Sequence, residues 1–546
     1  IKQGITLLII IVIITLQQEK VKAFFGKKEK TGTDIDITTD LGIIRGSEQD
    51  GYRYFKSIPF IEAPVGERRF KAPVQKKPWD GVLEALTYGA GCPQDCALPP
   101  GTCPETYSED CVTLSIFTPE GVNETSNLPV VVFFPGGHFD QGGPGVDLYD
   151  GKYVTKRTKV IVVNIGYRLG ALGWLSFESA GIRGNFGLLD QRMGLEWVRD
   201  HIAKFGGNPN EVTISGQSAG GISVLAHLIS EKSWGLYQRA IVQSNPLVLP
   251  IMNVTTMSKN FGKNFMKTLG CSNLDCLMKA STEDIVKAQE IAGKKINLLK
   301  PLLSFLPLTV VVDNDNIKYN GFEALERGLL NNVPIIMGAT TEEALLFIYL
   351  AMDSSMSTAK YVGYVSGIFW RKLAAAKVLA KYTPPLKGDK RPLFAELGTD
   401  YIFHCSHRYA LDRYTNQTNR APMYYYEFNQ TLSFDGWGPR YPFCKGHACH
   451  GVDLVYRFHS ADAGDMGFKF TDQEEQLSNL FIDSLDNFIK TGNPNSGASL
   501  PTPWPAWDRN SRATFRFSPS SGAIPYPRSN ICEMWDSLAY PYSYGF

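Results

Sequence analysis

Several short runs of apolar and β-branched residues occur along the chain, and each ends close to a residue that favours a turn. They cover residues 128–134, 159–164, 211–215 and 333–337, and a glycine follows each run within two positions. Strands with one wet face alternate apolar and polar residues, whereas strands covered on both faces are continuously apolar. These runs therefore predict buried strands of a parallel sheet.

A helical pattern lies between two of these strands. Its apolar positions recur at steps of three and four, and Gly206 and Gly207 end it; they are Leu188, Leu189, Met193, Leu195, Val198, Ile202 and Phe205. Alternating strands and helices predict an α/β fold with a central, mostly parallel sheet flanked by helices. Residues 24–546 contain no long linker, charge block or internal repeat, so we expect one domain.

The first 23 residues have the pattern of a secretory signal. Lys2 precedes an apolar stretch over residues 5–14, which is shorter than the roughly 20 apolar residues needed to span a bilayer. The small residue Ala23 offers a cleavage site, so we expect residues 1–23 to be a signal peptide and the protein to be secreted, with no stable membrane span. A buried N-terminal helix and an uncleaved anchor are the alternatives.

Ten cysteines, an even number, agree with export to a compartment where disulfides form. A zinc site is the rival interpretation, because Cys444, His447, Cys449 and His450 lie close together in sequence. Ligands that close would strain a tetrahedral site, so we expect disulfides and no metal. Glycosylation sequons, which suit an exported chain, begin at Asn123, Asn253, Asn416 and Asn429.

The charge balance excludes one class of partner. The chain has 55 Lys and Arg against 54 Asp and Glu, a net charge of +1. Such a balance provides no general attraction for nucleic acid, which we do not expect as a partner. The sequence carries no signal for an oligomeric state.

The pentapeptide from Gly216 to Gly220 is the strongest indication of chemistry. It reads Gly-Gln-Ser-Ala-Gly, follows a predicted strand and precedes a second helical pattern. A nucleophilic serine must project from a tight strand-to-helix turn, and side chains at the flanking positions would collide with the backbone. In this context Ser218 is predicted to be a nucleophile, although the five residues alone could be a glycine-rich turn.

Longer motifs around this pentapeptide resemble the type-B carboxylesterase and cholinesterase family, whose fold is the α/β-hydrolase fold. The similarity runs from about Asp40 to Leu538. Its most specific blocks read GNFGLLDQ at 184–191, FGGNP at 205–209, GQSAG at 216–220, YRLG at 167–170, and IPF with GERRF within 55–73.

The resemblance implies the other members of a catalytic triad. Glu343 occupies the place of the acid and His450 that of the general base, in the chain order Ser, acid, His of α/β-hydrolases. Glu342 could replace Glu343, and His447 could replace His450, because each is close in sequence. Asp453 is expected to be a structural partner.

The resemblance also places the oxyanion hole and shows two departures from the family pattern. The donors are predicted to be the N–H groups of Gly137, His138 and Ala219. His138 stands where the family usually has a third glycine, and Gln217 stands where cholinesterases have Glu. These departures put turnover rate and substrate size in doubt rather than the reaction.

By resemblance, Cys92 pairs with Cys111, Cys271 with Cys276, and Cys405 with Cys532. The remaining cysteines would then join Cys96 to Cys103 and Cys444 to Cys449, the latter just before His450. Cholinesterases carry a tryptophan in the first of these loops, which stacks on a quaternary ammonium. This chain has none between Cys92 and Cys111, so a choline-ester specialist is not expected.

The predicted function is that of a secreted serine carboxylic-ester hydrolase that acts on a small-molecule ester through an acyl-enzyme, without metal or organic cofactor. A catalytically weak or inactive adhesion or binding protein on the same fold is the main alternative. A lipase is a third interpretation, since only the pocket and lid loops would distinguish it.

Overall fold

The computed structural model describes residues 32–249, 251–294, 301–464, 466–538 and residue 540. The predicted signal peptide, residues 1–23, lies outside the described residues. Among the described helices, none combines the length and the apolar character that crossing a membrane requires.

One large sheet forms the centre of the molecule. Its strand order is β1-β2-β3-β5-β7-β6-β10-β11-β12-β13-β14-β15, with β4 beside β2, and the neighbours from β7 to β14 run parallel. A small hairpin, β8 and β9, lies apart. The strands are β1 Thr33–Thr39, β2 Gly42–Gln49, β3 Tyr52–Pro59, β4 Val82–Glu84, β5 Thr113–Pro119, β6 Leu128–Phe134, β7 Ile161–Ile165, β8 Ser176–Phe177, β9 Ile182–Arg183, β10 Gly207–Gln217, β11 Arg239–Gln243, β12 Ile335–Thr340, β13 Met423–Phe428, β14 Ala513–Phe517 and β15 Gly522–Pro525.

Helices cover the sheet, and we number them in chain order. They are α1 Lys152–Thr158, α2 Gly170–Trp174, α3 Phe186–His201, α4 Ala219–Ile229, α5 Val254–Met257, α6 Lys263–Leu269, α7 Leu274–Lys279, α8 Thr282–Gly293, α9 Pro301–Phe305, α10 Gly321–Glu326, α11 Glu343–Ala351, α12 Thr358–Ile368, α13 Lys372–Lys381, α14 Arg391–Gly398, α15 Cys405–Thr415, α16 Val452–Phe458, α17 Asp472–Thr491 and α18 Ser529–Ser537. Short 3₁₀ and π turns extend or connect several of them.

The burial of β6 explains why the sheet needs layers on both faces. Val130, Val132 and Phe134 belong to one apolar cluster, whereas Val131 and Phe133 belong to a second. Successive side chains of a strand point to opposite faces, so each cluster fills one face of the sheet. The α/β-hydrolase fold predicted from the sequence is confirmed.

All four predicted strands are present, three of them with shifted ends. The run at 128–134 coincides with β6, while the other three correspond to β7, β10 and β12. The helical pattern at 188–205 forms α3 and a 3₁₀ turn over Ile202–Phe205, which ends at Gly206 with a φ of 84°.

Five disulfides join the ten cysteines: three are the pairs that the resemblance implies, and two are the pairs that then remain. They are Cys92–Cys111, Cys96–Cys103, Cys271–Cys276, Cys405–Cys532 and Cys444–Cys449. Because Cys444 and Cys449 are bonded to each other, their sulfur atoms are not available as zinc ligands. The four sequon asparagines are all exposed.

Candidate active site

Ser218 occupies the sharp turn between β10 and α4. Its φ of 59° and ψ of −121° are a strained combination for a residue with a side chain. A Cβ on Gly216 would lie 2.3 Å from the carbonyl oxygen of Gly220, and one on Gly220 would lie 2.0 Å from that of Phe134. Only glycine fits at either position, so the sequence dictates the turn that exposes Ser218.

Glu343 and His450 form a buried pair near this turn. Glu343, the first residue of α11, is fully buried, and its Oε1 accepts a hydrogen bond of 2.7 Å from the N–H of Thr340 at the end of β12. Its Oε2 accepts from Nδ1 of His450. The ring of Phe347 packs against the imidazole, with 4.8 Å between centroids. The carboxylate therefore fixes the ring and leaves the proton of neutral His450 on Nδ1.

Glu342 and His447, the alternatives considered from sequence, form a second and exposed pair. Nδ1 of His447 lies 2.7 Å from Oε1 of Glu342, and the N–H of Ala448 donates to Oε2 at 2.9 Å. Residue 342 also forms a β-bridge with Cys449. This pair therefore connects the loop that holds the acid to the loop that holds the histidine, and the disulfide of Cys449 closes the second loop just before His450.

Gln217 contacts the same imidazole on its other side. Its Nε2 lies 3.1 Å from Nε2 of His450, and only 3 % of the residue is exposed. Because Nδ1–H points to Glu343, Nε2 of neutral His450 carries a lone pair, so the amide of Gln217 donates to it. The sequence marked Gln217 as a departure from the family but gave no sign of this contact, which depends on how two distant loops meet.

The predicted oxyanion donors lie beside Ser218. Gly137 has a φ of 109° and His138 a φ of 61°, so His138 adopts the left-handed conformation that side chains disfavour. Within the described part of the chain, the N–H groups of Gly137, His138 and Ala219 donate to no other protein group. Gly137, His138 and Ser218 line one cavity, so two of the three predicted donor residues border the same space as the serine.

The side chain of His138 is held by two hydrogen-bond partners. Its Nε2 lies 2.6 Å from the carbonyl oxygen of Phe305, to which it donates, and its Nδ1 lies 3.4 Å from Oδ2 of Asp140. Burial lowers the pKa of His138, but the Asp140 carboxylate and the two hydrogen bonds outweigh that effect and raise it above its usual value. The imidazole thus connects the loop that contains Gly137 and His138 to Phe305, the last residue of α9.

Asp453 is fully buried, and its hydrogen bonds go to residues other than His450. Its Oδ2 accepts hydrogen bonds from Nε2 of Gln243 at 2.9 Å and from the hydroxyl of Tyr426 at 2.8 Å. Burial and the nearby negative charge of Glu343 raise the pKa of Asp453 to about 6. Its contacts are those of a structural partner.

The cavity that contains Ser218 and His450 has a volume of about 790 Å³. Apart from the polar groups around the serine, its wall consists mainly of aliphatic and aromatic side chains. The wall includes Leu98, Pro99, Phe347, Leu350, Ile368 and Phe369. Among the described residues, no group of His, Cys, Asp and Glu side chains has the arrangement of a metal site.

The chain is similar to several known proteins over nearly its whole length. The model of the carboxylesterase family matches residues 33–535. The crystal protein of Dictyostelium discoideum is 37% identical over 98% of this chain and 97% of its own length. The para-nitrobenzyl esterase of Bacillus subtilis (strain 168) is 33% identical over 88% of this chain and 94% of its own. A solved PNB esterase superposes with a TM-score of 0.77 at 29% identity, covering 92% of this chain and 100% of that one.

Proposed function

The chain belongs to the carboxylesterase family and is a carboxylic-ester hydrolase, and we propose that it acts through Ser218, His450 and Glu343. The observation that carries this proposal is the arrangement around one cavity of a serine on a strained turn and a histidine held by a buried carboxylate. The unpaired N–H groups of Gly137 and His138, two residues that line the same cavity as Ser218, favour catalysis over a weak or inactive binding protein.

In the first half of the proposed reaction, the hydrogen bond from Gln217 to Nε2 of His450 breaks, which frees the lone pair of this nitrogen. Oγ of Ser218 then attacks the ester carbonyl carbon while Nε2 of His450 accepts the hydroxyl proton. The carbon–oxygen double bond becomes a single bond, and the N–H groups of Gly137, His138 and Ala219 stabilise the oxyanion. The carbonyl re-forms as the alcohol leaves with the proton from His450. Ser218 now carries the acyl group as an ester.

In the second half, a water molecule takes the place of the alcohol. His450 accepts one of its protons as the oxygen attacks the acyl carbon, and the same oxyanion hole stabilises the second intermediate. The acid leaves and the proton returns to Ser218. Glu343 stabilises the imidazolium in both halves without taking up a proton, so the chemistry requires no metal or organic cofactor.

The shape and lining of the cavity support uncharged, hydrophobic esters as substrates. The loop closed by Cys96 and Cys103 contributes Leu98 and Pro99 to the wall. In this loop, Leu98 and Pro99 offer a surface to alkyl groups but no aromatic face to a quaternary ammonium, so aromatic contacts to such a cation would have to come from the rest of the wall. We therefore expect alkyl esters to be hydrolysed in preference to choline esters.

Secretion is part of the same proposal. Five disulfides and four exposed sequon asparagines suit an oxidising, extracellular compartment. We propose that residues 1–23 direct export and that residues 24–546 form one hydrolase domain. N-terminal sequencing and glycosidase digestion of protein secreted by eukaryotic cells test this; retention inside the cell without glycan would contradict it.

A pair of neighbouring variants tests the assignment of the acid. Glu343→Gln should lower kcat for a short-chain p-nitrophenyl ester by about 10³-fold or more, because the imidazolium loses its buried counter-charge. Glu342→Gln is the matched control: it removes an exposed carboxylate one residue away, and exposed ion pairs contribute little, so kcat should change by less than about tenfold. Equal losses in both variants, or a larger loss in Glu342→Gln, would overturn the assignment.

A further inference from the structure

Exposed apolar side chains concentrate in one stretch of the chain, which also contributes residues to the wall of the cavity. Of the ten large hydrophobic side chains that are exposed in the described residues, four are Leu350, Trp370, Leu373 and Leu386. Trp370 is 57% exposed and Leu373 is 72% exposed, whereas most side chains of these types are buried in soluble proteins. Their clustering in 37 consecutive positions requires an explanation that scattered surface residues do not.

The same part of the chain is basic. Between Asp353 and Asp389 the sequence has six Lys and Arg residues and no Asp or Glu, in a protein whose total charges nearly cancel. We call these residues, 354–388, the basic segment. Lys360, Arg371 and Lys377 are exposed within it. The excess positive charge of the basic segment is therefore exposed to solvent.

Two helices of the basic segment explain how the tryptophan becomes exposed. On α12, Tyr361 and Val365 are buried, as is Phe369 directly after the helix, so these positions at steps of four anchor one face of it. Its exposed positions include Gly363, where an added Cβ would meet nothing within 4 Å, and the chain then turns at Trp370. Trp370 thus projects from the junction of α12 and α13.

Helix α13 repeats this arrangement. Ala375 and Val378 are buried, whereas Leu373 and Lys377 lie on the opposite side, one turn apart. The Cζ of Arg371 lies 5.8 Å from the centroid of the Trp370 ring. An aromatic residue, an aliphatic residue and basic groups are therefore presented together at the start of α13.

The exposed residues adjoin the proposed active site. Leu350 lies in the wall of the cavity that contains Ser218 and is itself 44% exposed. Ile368 and Phe369, the two residues before Trp370, line the same cavity. An apolar surface therefore continues from the outside of the protein into the cavity.

We propose that Leu350, Trp370 and Leu373, with the surrounding basic groups, form a docking patch for an anionic lipid surface. Tryptophan and leucine insert at the boundary of headgroups and acyl chains, and Lys and Arg are attracted to anionic headgroups. The docked protein presents the cavity mouth to esters dissolved in that surface, a consequence that rests on the proposed function. An interface with a protein partner or with a second copy of this chain would not by itself account for a segment that has six basic residues and no acidic one.

Flotation with lipid vesicles tests the docking patch. The full chain is mixed with vesicles of phosphatidylcholine that contain about one third phosphatidylglycerol, and separately with phosphatidylcholine alone. Wild type should float with the mixed vesicles. Arg371→Glu with Lys377→Glu should weaken partitioning onto them by about 25-fold or more, because each basic residue near an anionic surface contributes about fivefold.

A second variant addresses the apolar contribution. Trp370→Ser with Leu373→Ser removes the inserted side chains and should weaken partitioning by about tenfold or more on both kinds of vesicle. Lys71→Glu with Val74→Ser, which changes exposed residues outside the basic segment, should float like wild type. All variants share the same N-terminal residues, so the contribution of the apolar stretch at 5–14 is constant.

Each other outcome has a definite meaning. If wild type does not float, or if both patch variants float as wild type does, the lipid docking patch is wrong. If the variants instead change the sedimentation coefficient of the protein in the absence of lipid, the patch is a contact between copies of this chain. Hydrolysis of soluble p-nitrophenyl butyrate should be unchanged in every variant. Vesicle binding by a wild type that lacks this hydrolysis would leave the patch standing and remove the proposed function.

Discussion

Replacing Gln217 with Glu changes the charge beside the proposed base and leaves the side-chain shape almost unchanged. In the structure the amide nitrogen of Gln217 lies 3.1 Å from Nε2 of His450 and donates to its lone pair. A carboxylate cannot donate there. It accepts a hydrogen bond from the imidazolium instead and stabilises the protonated form, which cannot accept the proton of Ser218.

The geometry gives the size of this effect. Unit charges 3.1 Å apart attract by about 5 kcal/mol at an effective dielectric constant of about 20. At about 1.36 kcal/mol per pH unit, this attraction moves the midpoint of the acidic limb of the kcat/KM profile by at most about four pH units. Burial of the new carboxylate opposes the shift, and opposite charges at such distances usually move a titration by about one to three units. We therefore expect the midpoint of the acidic limb of the kcat/KM profile to rise by about one to three units.

The assay is the pH dependence of kcat/KM for a p-nitrophenyl ester, since this profile reports ionisations of the free enzyme. Gln217→Met is the matched control. It removes the donor without adding charge, so the neutral imidazole loses one hydrogen bond, and the acidic limb should rise by less than in Gln217→Glu and by no more than about one pH unit. A Gln217→Glu variant that is folded and active but keeps the wild-type limb would refute the contact between residue 217 and the base.

Two further predictions concern stability near the site. Replacing both Cys444 and Cys449 with Ala should cost about 2 kcal/mol of unfolding free energy and lower kcat, because the disulfide closes the loop before His450. The matched control replaces Cys271 and Cys276, which are also five residues apart. It should cost about as much stability and leave kcat unchanged. An equal loss of kcat in both double variants would contradict the role of the Cys444–Cys449 disulfide in holding His450. Because burial raises the pKa of Asp453 to about 6 from a usual 3.8, the folded state holds this proton more tightly than the unfolded chain, and the resulting stabilisation is lost as the pH rises through 6. Asp453→Asn escapes this loss, so its unfolding free energy relative to wild type, measured with urea, should rise by up to about 3 kcal/mol between pH 4 and 7; a difference independent of pH would contradict the raised pKa.

The sequence predicted the fold where a residue pattern has one structural solution. The run at 128–134 must be buried on both sides, and it is β6. The ends of β10 were harder to predict, because this strand extends from Gly207 through a polar stretch that forms no apolar run. Its pairing with β6 shifts register in that region, which only the partner strand determines.

The candidate site likewise has one part that the local sequence predicts and another that it does not. Gly216 and Gly220 identify the turn at Ser218, because local sterics leave no other choice there. The contact between Gln217 and His450 spans 233 residues, and no local pattern encodes it. The docking patch was missed for a related reason: Trp370 resembles a core residue until the helices on either side show which face is buried.

The central claim is that Ser218 becomes covalently acylated. Incubation with a fluorophosphonate, followed by proteolysis and mass spectrometry, should find the adduct on the peptide that contains Ser218 and nowhere else, with loss of esterase activity in proportion to labelling. Ser218→Ala should remain folded, unlabelled and inactive. An adduct on a different residue, or full esterase activity in Ser218→Ala, would contradict the account.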